Sequence, residues 1–93
     1  MAIVMVTEVP GVDATFADGM RQQGIVDALQ AADGFRGHWS GATGSGYRVI
    51  ELWESREAHQ AWYDQNIAPN LPPGIEPATP EIFELHFEVK PTG

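Results

Sequence analysis

Histidine and glutamate are spaced in this sequence so that they could transfer protons together. His86 lies between Glu84 and Glu88 near the end of the chain, and the three alternate with apolar residues. Imidazole gains and loses a proton near neutral pH, and a neighbouring carboxylate stabilises its charged form. We therefore expect His86 to be the general base of a catalytic site. The simpler alternative is a hydrogen-bonded histidine in an interface.

Glu51 is the second candidate, because it lies between Ile50 and Leu52 in the middle of an apolar run. A carboxylate in a central strand is costly to bury unless it is paired or protonated, and such residues are frequent in active sites. The alternative is a structural ion pair across a dimer, with Arg36 or Arg48 as the partner.

The residue that faces Glu51 depends on a hairpin whose turn includes the run GSG at residues 44–46. A two-residue turn would place His38 opposite Glu51, whereas a turn over all three residues would place Trp39 there. Because a shift of one residue moves every side chain to the other face, the pattern alone leaves both registers open.

Large aromatic side chains could complete a pocket for a flat ligand. Trp62 is expected to pack in the core from a helix, and His59 is expected to face solvent. A metal site could be drawn from His38, Glu51 and His86, but their spacing matches no defined motif, so no metal is expected. The residues predicted to bind a substrate are Met5, His38, Trp39, Tyr47, Trp53 and Glu84.

The elements that must position these residues follow the order βαββαβ. Strands are predicted over residues 2–8, 35–43, 47–54 and 81–90, and helices over 13–32, interrupted at Gly24, and 56–68, capped by Ser55. This order is that of a ferredoxin-like α+β domain: a four-stranded antiparallel sheet with two helices on one face and the first and third strands in the centre. The proline-rich segment 66–80 is either a lid over a site or a polyproline strap on the surface.

Alternation divides each strand into two faces. The apolar face is expected to lie under the helices, and it comprises Val4, Val6, Ile50, Leu52, Phe83, Leu85, Phe87 and Val89. The opposite face mixes apolar residues with Glu51, Glu84 and His86. A patch of this kind usually marks an interface, so we expect the sheet of an identical subunit to cover it and to close a cavity there.

The length, charge and cysteine content of the chain limit the classes of partner and chemistry that it is expected to have. The chain has 93 residues, which predicts one domain over 1–93 and makes a homodimer the expected source of additional stability. Thirteen acidic residues against five scattered basic ones give a net charge of −8, which disfavours nucleic acid and anionic membranes. With no cysteine, disulfides and cysteine nucleophiles are excluded. No signal peptide or membrane-spanning run is recognised, so a cytoplasmic location is expected.

Three segments resemble the dimeric α/β-barrel superfamily, and more narrowly its antibiotic-biosynthesis-monooxygenase-like proteins: residues 34–41 (GFRGHWSG), 47–58 (YRVIELWESREA) and 83–89 (FELHFEV). The resemblance implies a ferredoxin-like domain that forms a dimeric α/β barrel. It also implies a monooxygenase-like oxidoreductase, without flavin or metal, that acts on a small aromatic or polyketide-like substrate.

On this hypothesis His86, with Glu51, handles the substrate's proton, while Trp53 and Trp39 contact its ring. Two alternatives stay open, because a fold by itself does not determine a reaction. One is a non-catalytic dimer that binds a small hydrophobic ligand. The other is a haem-binding relative, in which His59 or His86 would be the axial ligand.

Overall fold

A four-stranded antiparallel sheet carries three α-helices in the computed structural model, which describes residues 1–70 and 79–92. The strands lie in the order β2-β3-β1-β4, so the first and third strands are central, as predicted. The elements are β1 (Ile3–Pro10), α1 (Ala14–Gln22), α2 (Ile25–Gln30), β2 (Phe35–Ala42), β3 (Gly46–Trp53), α3 (Arg56–Asn66), a 3-10 turn (Ala68–Asn70) and β4 (Glu81–Glu84).

The helices begin and end at the predicted residues or close to them. The Asp13 carboxylate accepts a hydrogen bond from the Thr15 N–H at 2.9 Å and caps α1. Ser55 caps α3 in the same way, accepting from the Ala58 N–H at 3.1 Å. Gly24 adopts a left-handed conformation with φ of 88°, which separates α1 from α2 and confirms the predicted interruption.

The helices cover the mixed face of the sheet, which corrects the prediction that they cover the apolar one. Ile3, Met5 and Trp53 from the sheet are buried against Leu29 of α2 and Trp62 of α3. The prediction failed because it assumed that a covered face must be the more apolar one. Polar groups on a covered face are tolerated when they bond to one another, and here they do.

The apolar face is the open one. Across it, Val6 lies opposite Ile50, and Val4 opposite both Leu52 and Phe83. Phe83 is 49% exposed and Trp39, which lies opposite Ile50 on β2, is 57% exposed. Leu52 of this face is 7% exposed, so the exposed part of the face is centred on Trp39, Ile50 and Phe83.

The last strand is shorter than predicted. β4 ends at Glu84 instead of residue 90, and the Leu85 N–H donates to the Ala2 carbonyl at 2.9 Å before the chain leaves the sheet. Phe87 and Val89 are 79% and 77% exposed. Most of the proline-rich segment, residues 71–78, lies outside the described residues, and with it the prediction of a lid or strap. In the described ranges, no helix has the length and apolarity needed to cross a bilayer.

Candidate active site

One row of side chains crosses the sheet beneath the helices. His38 of β2, Glu51 of β3, Met5 of β1 and Ile82 of β4 lie directly opposite one another in turn. The tight turn of the β2–β3 hairpin, which the Thr43 N–H closes by donating to the Gly46 carbonyl at 2.7 Å, sets this register. The two-residue alternative is therefore the correct one, and His38, not Trp39, faces Glu51.

Glu51 is the centre of a hydrogen-bond network. Its Oε2 lies 2.7 Å from His38 Nδ1, and its Oε1 accepts a hydrogen bond from Trp53 Nε1 at 3.0 Å. The residue is 7% exposed, so its charge depends on these partners. Within the chain, Arg36 pairs with Glu54 and Glu88, and Arg48 pairs with Glu8, while an ion pair of Glu51 across a dimer stays a prediction.

The contact with Glu51 determines which nitrogen of His38 can accept a proton. An ionised carboxylate only accepts hydrogen bonds, so His38 Nδ1 carries the hydrogen and Nε2 keeps its lone pair. Nε2 lies 3.2 Å from Ser40 Oγ, which in turn lies 2.8 Å from the Tyr47 hydroxyl. A chain of polar groups thus runs from Glu51 through His38 and Ser40 to Tyr47.

His59 of α3 belongs to the same cluster. Its Nε2 lies 3.9 Å from Glu51 Oε1, and its ring meets the Trp53 ring edge-on at 5.4 Å. Burial lowers the pKa of His59 below 6.5, while the nearby charges of Glu51 and Asp64 oppose that shift. The side chain is only 13% exposed, so the prediction that it faces solvent is wrong.

A cavity of about 1010 Å³ lies between the sheet and the helices, and this network forms its polar wall. Most of the remaining lining is apolar, from Met5 and Val49 of the sheet and from Phe16, Met20, Leu29 and Ile67 of the helical side. None of the side chains of α1 is buried, so this helix covers the cavity without being part of the core. A large, mostly apolar cavity with a few convergent polar groups is typical of small-molecule sites.

Trp62 contributes an aromatic side chain to the wall. The residue lines the cavity and is 7% exposed. Its indole N–H is itself buried and makes no hydrogen bond within the described residues, so it is enclosed behind the wall and is not presented to the cavity.

Four of the residues predicted to form the site line the cavity: Met5, His38, Tyr47 and Glu51. The others do not. His86 and Glu84 are exposed at or beyond the end of β4, where alternation no longer applies because the strand has ended. Trp39 is on the open face of the sheet. Trp53 is fully buried behind the cavity wall and reaches the site only through its hydrogen bond to Glu51.

His59, Ser40 and Trp62 line the cavity although the sequence did not single them out for it. The spacing of residues in α3 could have placed His59 on the inner face of the helix. His59, Trp62 and Tyr63 recur at i, i+3 and i+4, which is the pattern of one helix face. In the part of the chain that the structure describes, no group of three or more metal-binding side chains is placed to hold an ion.

Neither a family profile nor a curated sequence matches the chain, but several solved structures resemble it. The haem-degrading protein Rv3592 of Mycobacterium tuberculosis is 25% identical, with a TM-score of 0.62 over 97% of this chain and 100% of that one. The Streptomyces coelicolor monooxygenase ActVA-Orf6, in complex with nanaomycin D, is 17% identical, with a TM-score of 0.59 over 98% and 92%. A Bacillus cereus protein described as an antibiotic biosynthesis monooxygenase is 16% identical, with a TM-score of 0.55 over 100% and 99%.

The chain has the fold of the antibiotic-biosynthesis-monooxygenase-like superfamily. This confirms the resemblance seen in residues 34–41, 47–58 and 83–89 and the ferredoxin-like α+β class. Monooxygenases and haem degraders both occur among these structures, so the fold by itself does not select a reaction. The substrate has to be argued from the cavity.

The buried imidazole of His59 predicts a pH dependence of stability. Because its pKa is lower in the folded than in the unfolded chain, the unfolded chain binds more protons between the two values, and the free energy of unfolding falls as pH drops below about 6.5. His59→Gln removes this contribution. We expect urea titrations from pH 8 to 5 to show a smaller decline for His59→Gln than for the wild type. An equal or steeper decline would show that His59 is not buried as a neutral imidazole.

Proposed function

We propose that this protein is a cofactor-independent monooxygenase-like enzyme that oxidises a small aromatic, polyketide-like substrate in the cavity between sheet and helices. The observation that carries the proposal is the His38–Glu51 pair, joined at 2.7 Å in the wall of a mostly apolar cavity. A histidine oriented by a carboxylate, with its other nitrogen unprotonated, is the arrangement of a general base.

The base acts on a substrate that becomes reactive when it loses a proton. His38 Nε2 accepts the proton from an acidic C–H or phenolic O–H, and Glu51 stabilises the imidazolium that results. The negative charge left on the substrate is delocalised onto its carbonyl or phenolic oxygen. The hydroxyl of Tyr47 is a donor in the cavity wall that can stabilise this oxygen.

Molecular oxygen is the oxidant. For a methylene group between two aromatic rings, one oxygen atom forms the carbonyl C=O and the other leaves as water with the two hydrogens of the methylene. The carbon loses four electrons and dioxygen gains four, so no other reductant or oxidant is needed. The protein contributes the proton acceptor, a hydrogen-bond donor and a mostly apolar cavity that holds the substrate beside them.

An anthrone is a suitable probe, because it has such a methylene and gives a coloured anthraquinone. We expect the wild type to accelerate oxygen uptake and quinone formation, and His38→Ala to lower kcat by about 10²–10⁴-fold, the usual contribution of a general base. Glu51→Gln should lower kcat as well, since the amide cannot stabilise the imidazolium as a carboxylate does. Both variants should keep the far-UV spectrum of the wild type.

His86→Ala tests whether His86, the base predicted from the sequence, or the His38–Glu51 pair in the cavity is required for activity. Full activity in His38→Ala together with a large loss in His86→Ala would contradict the proposal. Saturable quenching of tryptophan fluorescence by the anthrone without turnover in the wild type would instead identify a non-catalytic binding protein.

A haem-binding function is the second candidate, favoured by the likeness to Rv3592 and by the position of His59 in the cavity wall. His59 fits an axial ligand poorly, because its Nε2 faces Glu51 and its ring is flanked by Trp53 and Tyr63. His86, the other candidate, lies outside the cavity. A stoichiometric Soret band on haem addition, lost in His59→Ala and kept in His38→Ala, would favour haem binding over the monooxygenase proposal.

We also infer that a second copy of the chain covers the open face of the sheet. Trp39, Ile50 and Phe83 are exposed there, and exposed apolar patches are characteristic of interfaces. This differs from the sequence expectation in one respect: the second copy covers the apolar face and is not needed to close the cavity.

A charge on the open face should prevent this association. We expect Ile50→Asp to reduce the mass in solution from about twice 10.2 kDa to about 10.2 kDa, measured by light scattering across a dilution series. Ala61→Asp, on the exposed side of α3, is the matched control and should leave the mass as it is. A wild type that is monomeric at micromolar concentration would contradict the inferred dimer and leave the cavity intact.

A further inference from the structure

Glu51 is faced by two imidazoles from different elements. His38 approaches Oε2 from β2 at 2.7 Å, and His59 approaches Oε1 from α3 at 3.9 Å. Trp53 donates to Oε1 as well, from the same strand as Glu51. One buried carboxylate is therefore within reach of two groups that can each carry a positive charge.

The two imidazoles differ in their burial and in their hydrogen-bond partners. His38 is 31% exposed, and both of its ring nitrogens have hydrogen-bond partners, Glu51 and Ser40. His59 is 13% exposed, and its ring nitrogens make no hydrogen bond within the described ranges. Its contact with Glu51 is longer than a hydrogen bond. A proton on His59 would draw this carboxylate towards it, because an ion pair strengthens as water is excluded.

Few charged groups act on His59. Glu51 faces it from β3 and Asp64 from its own helix, and both favour the protonated form. His38, on β2, reaches it only across Glu51. Burial opposes both carboxylates and lowers the pKa of His59, so the imidazole is neutral at neutral pH and gains its charge on acidification.

We propose that His59 is a positioning residue that competes with His38 for Glu51 when it takes up a proton. This inference rests on the proposed function, since it describes how the same site is regulated. With His59 neutral, Glu51 fixes His38 with Nε2 unprotonated, so that Nε2 can accept the substrate's proton in place of its contact with Ser40. With His59 charged, Glu51 is shared, His38 loses the partner that orients it, and the site becomes less active below neutral pH.

The competition can be measured without a substrate, by following the histidine ring signals of isotopically labelled protein in an NMR pH titration. We expect His38→Ala to raise the pKa of His59 relative to the wild type, because Glu51 is then left to one imidazole. Glu51→Gln should lower the pKa of His59, because it removes a carboxylate that raises it. Ser40→Ala is the matched control: it removes the other partner of His38 and should leave the His59 titration where it is.

An unchanged His59 titration in His38→Ala would overturn the proposal, as would a shift of equal size in Ser40→Ala. The activity arm uses the anthrone: the ratio of kcat at about pH 6 to kcat at about pH 7.5 should be larger in His59→Gln than in the wild type. An equal or smaller ratio counts against the regulation. If the NMR shifts appear but no variant oxidises the anthrone, the competition stands and the proposed function fails.

Discussion

The structure depends on how one buried carboxylate is satisfied. Glu51 lies in a central strand beneath the helices, where an unpaired charge would cost about 3–5 kcal/mol. His38 and Trp53 each bond to one of its oxygens, and both come from positions that the sheet itself determines. The pairing of β2 with β3 places His38 opposite Glu51, and Trp53 follows it by two residues on the same face. The fold and the acid–base pair are therefore set by the same register.

This arrangement explains why the two faces of the sheet have unexpected environments. The helix-covered face can include polar groups because they bond to one another along the line Glu51–His38–Ser40–Tyr47. The opposite face carries the uniformly apolar set, with Trp39, Ile50 and Phe83 exposed on it. The cavity and this exposed apolar patch lie on opposite faces of the sheet. Mutations should therefore alter the proposed reaction and the proposed association separately.

Much of the fold was predictable because its signals are local. Asp13 and Ser55 are helix caps, Gly24 interrupts a helix through its left-handed conformation, and the chain order implies which strands are central. Glu51 was singled out because a carboxylate in an apolar run is chemically costly wherever the strand lies, and it lines the cavity. Trp62 was correctly placed in the core from its position on α3.

The wrong predictions concerned features that a local sequence pattern does not determine: the covered face of the sheet and the end of the last strand. The side of the sheet on which the helices lie is decided by the packing of Leu29 and Trp62 against Ile3 and Met5, and alternation is the same for either side. His86 was expected on the cavity side because alternation was extended beyond the end of β4 at Glu84. The register that pairs His38 with Glu51 was left open because it requires a hairpin turn of two residues, whereas a turn of three residues fitted the sequence equally well.

The most direct test of the central claim is a crystal structure of the protein soaked with 1,8-dihydroxyanthraquinone, a flat and unreactive analogue of the proposed product. The ligand is predicted to lie between the sheet and the helices, with an oxygen within about 2.6–3.2 Å of His38 Nε2, the distance at which a general base acts. His38 Nδ1 should remain bonded to Glu51. A ligand bound instead on the open face beside Trp39, or beside His86, would contradict the account, because the His38–Glu51 pair would then have no substrate to act on.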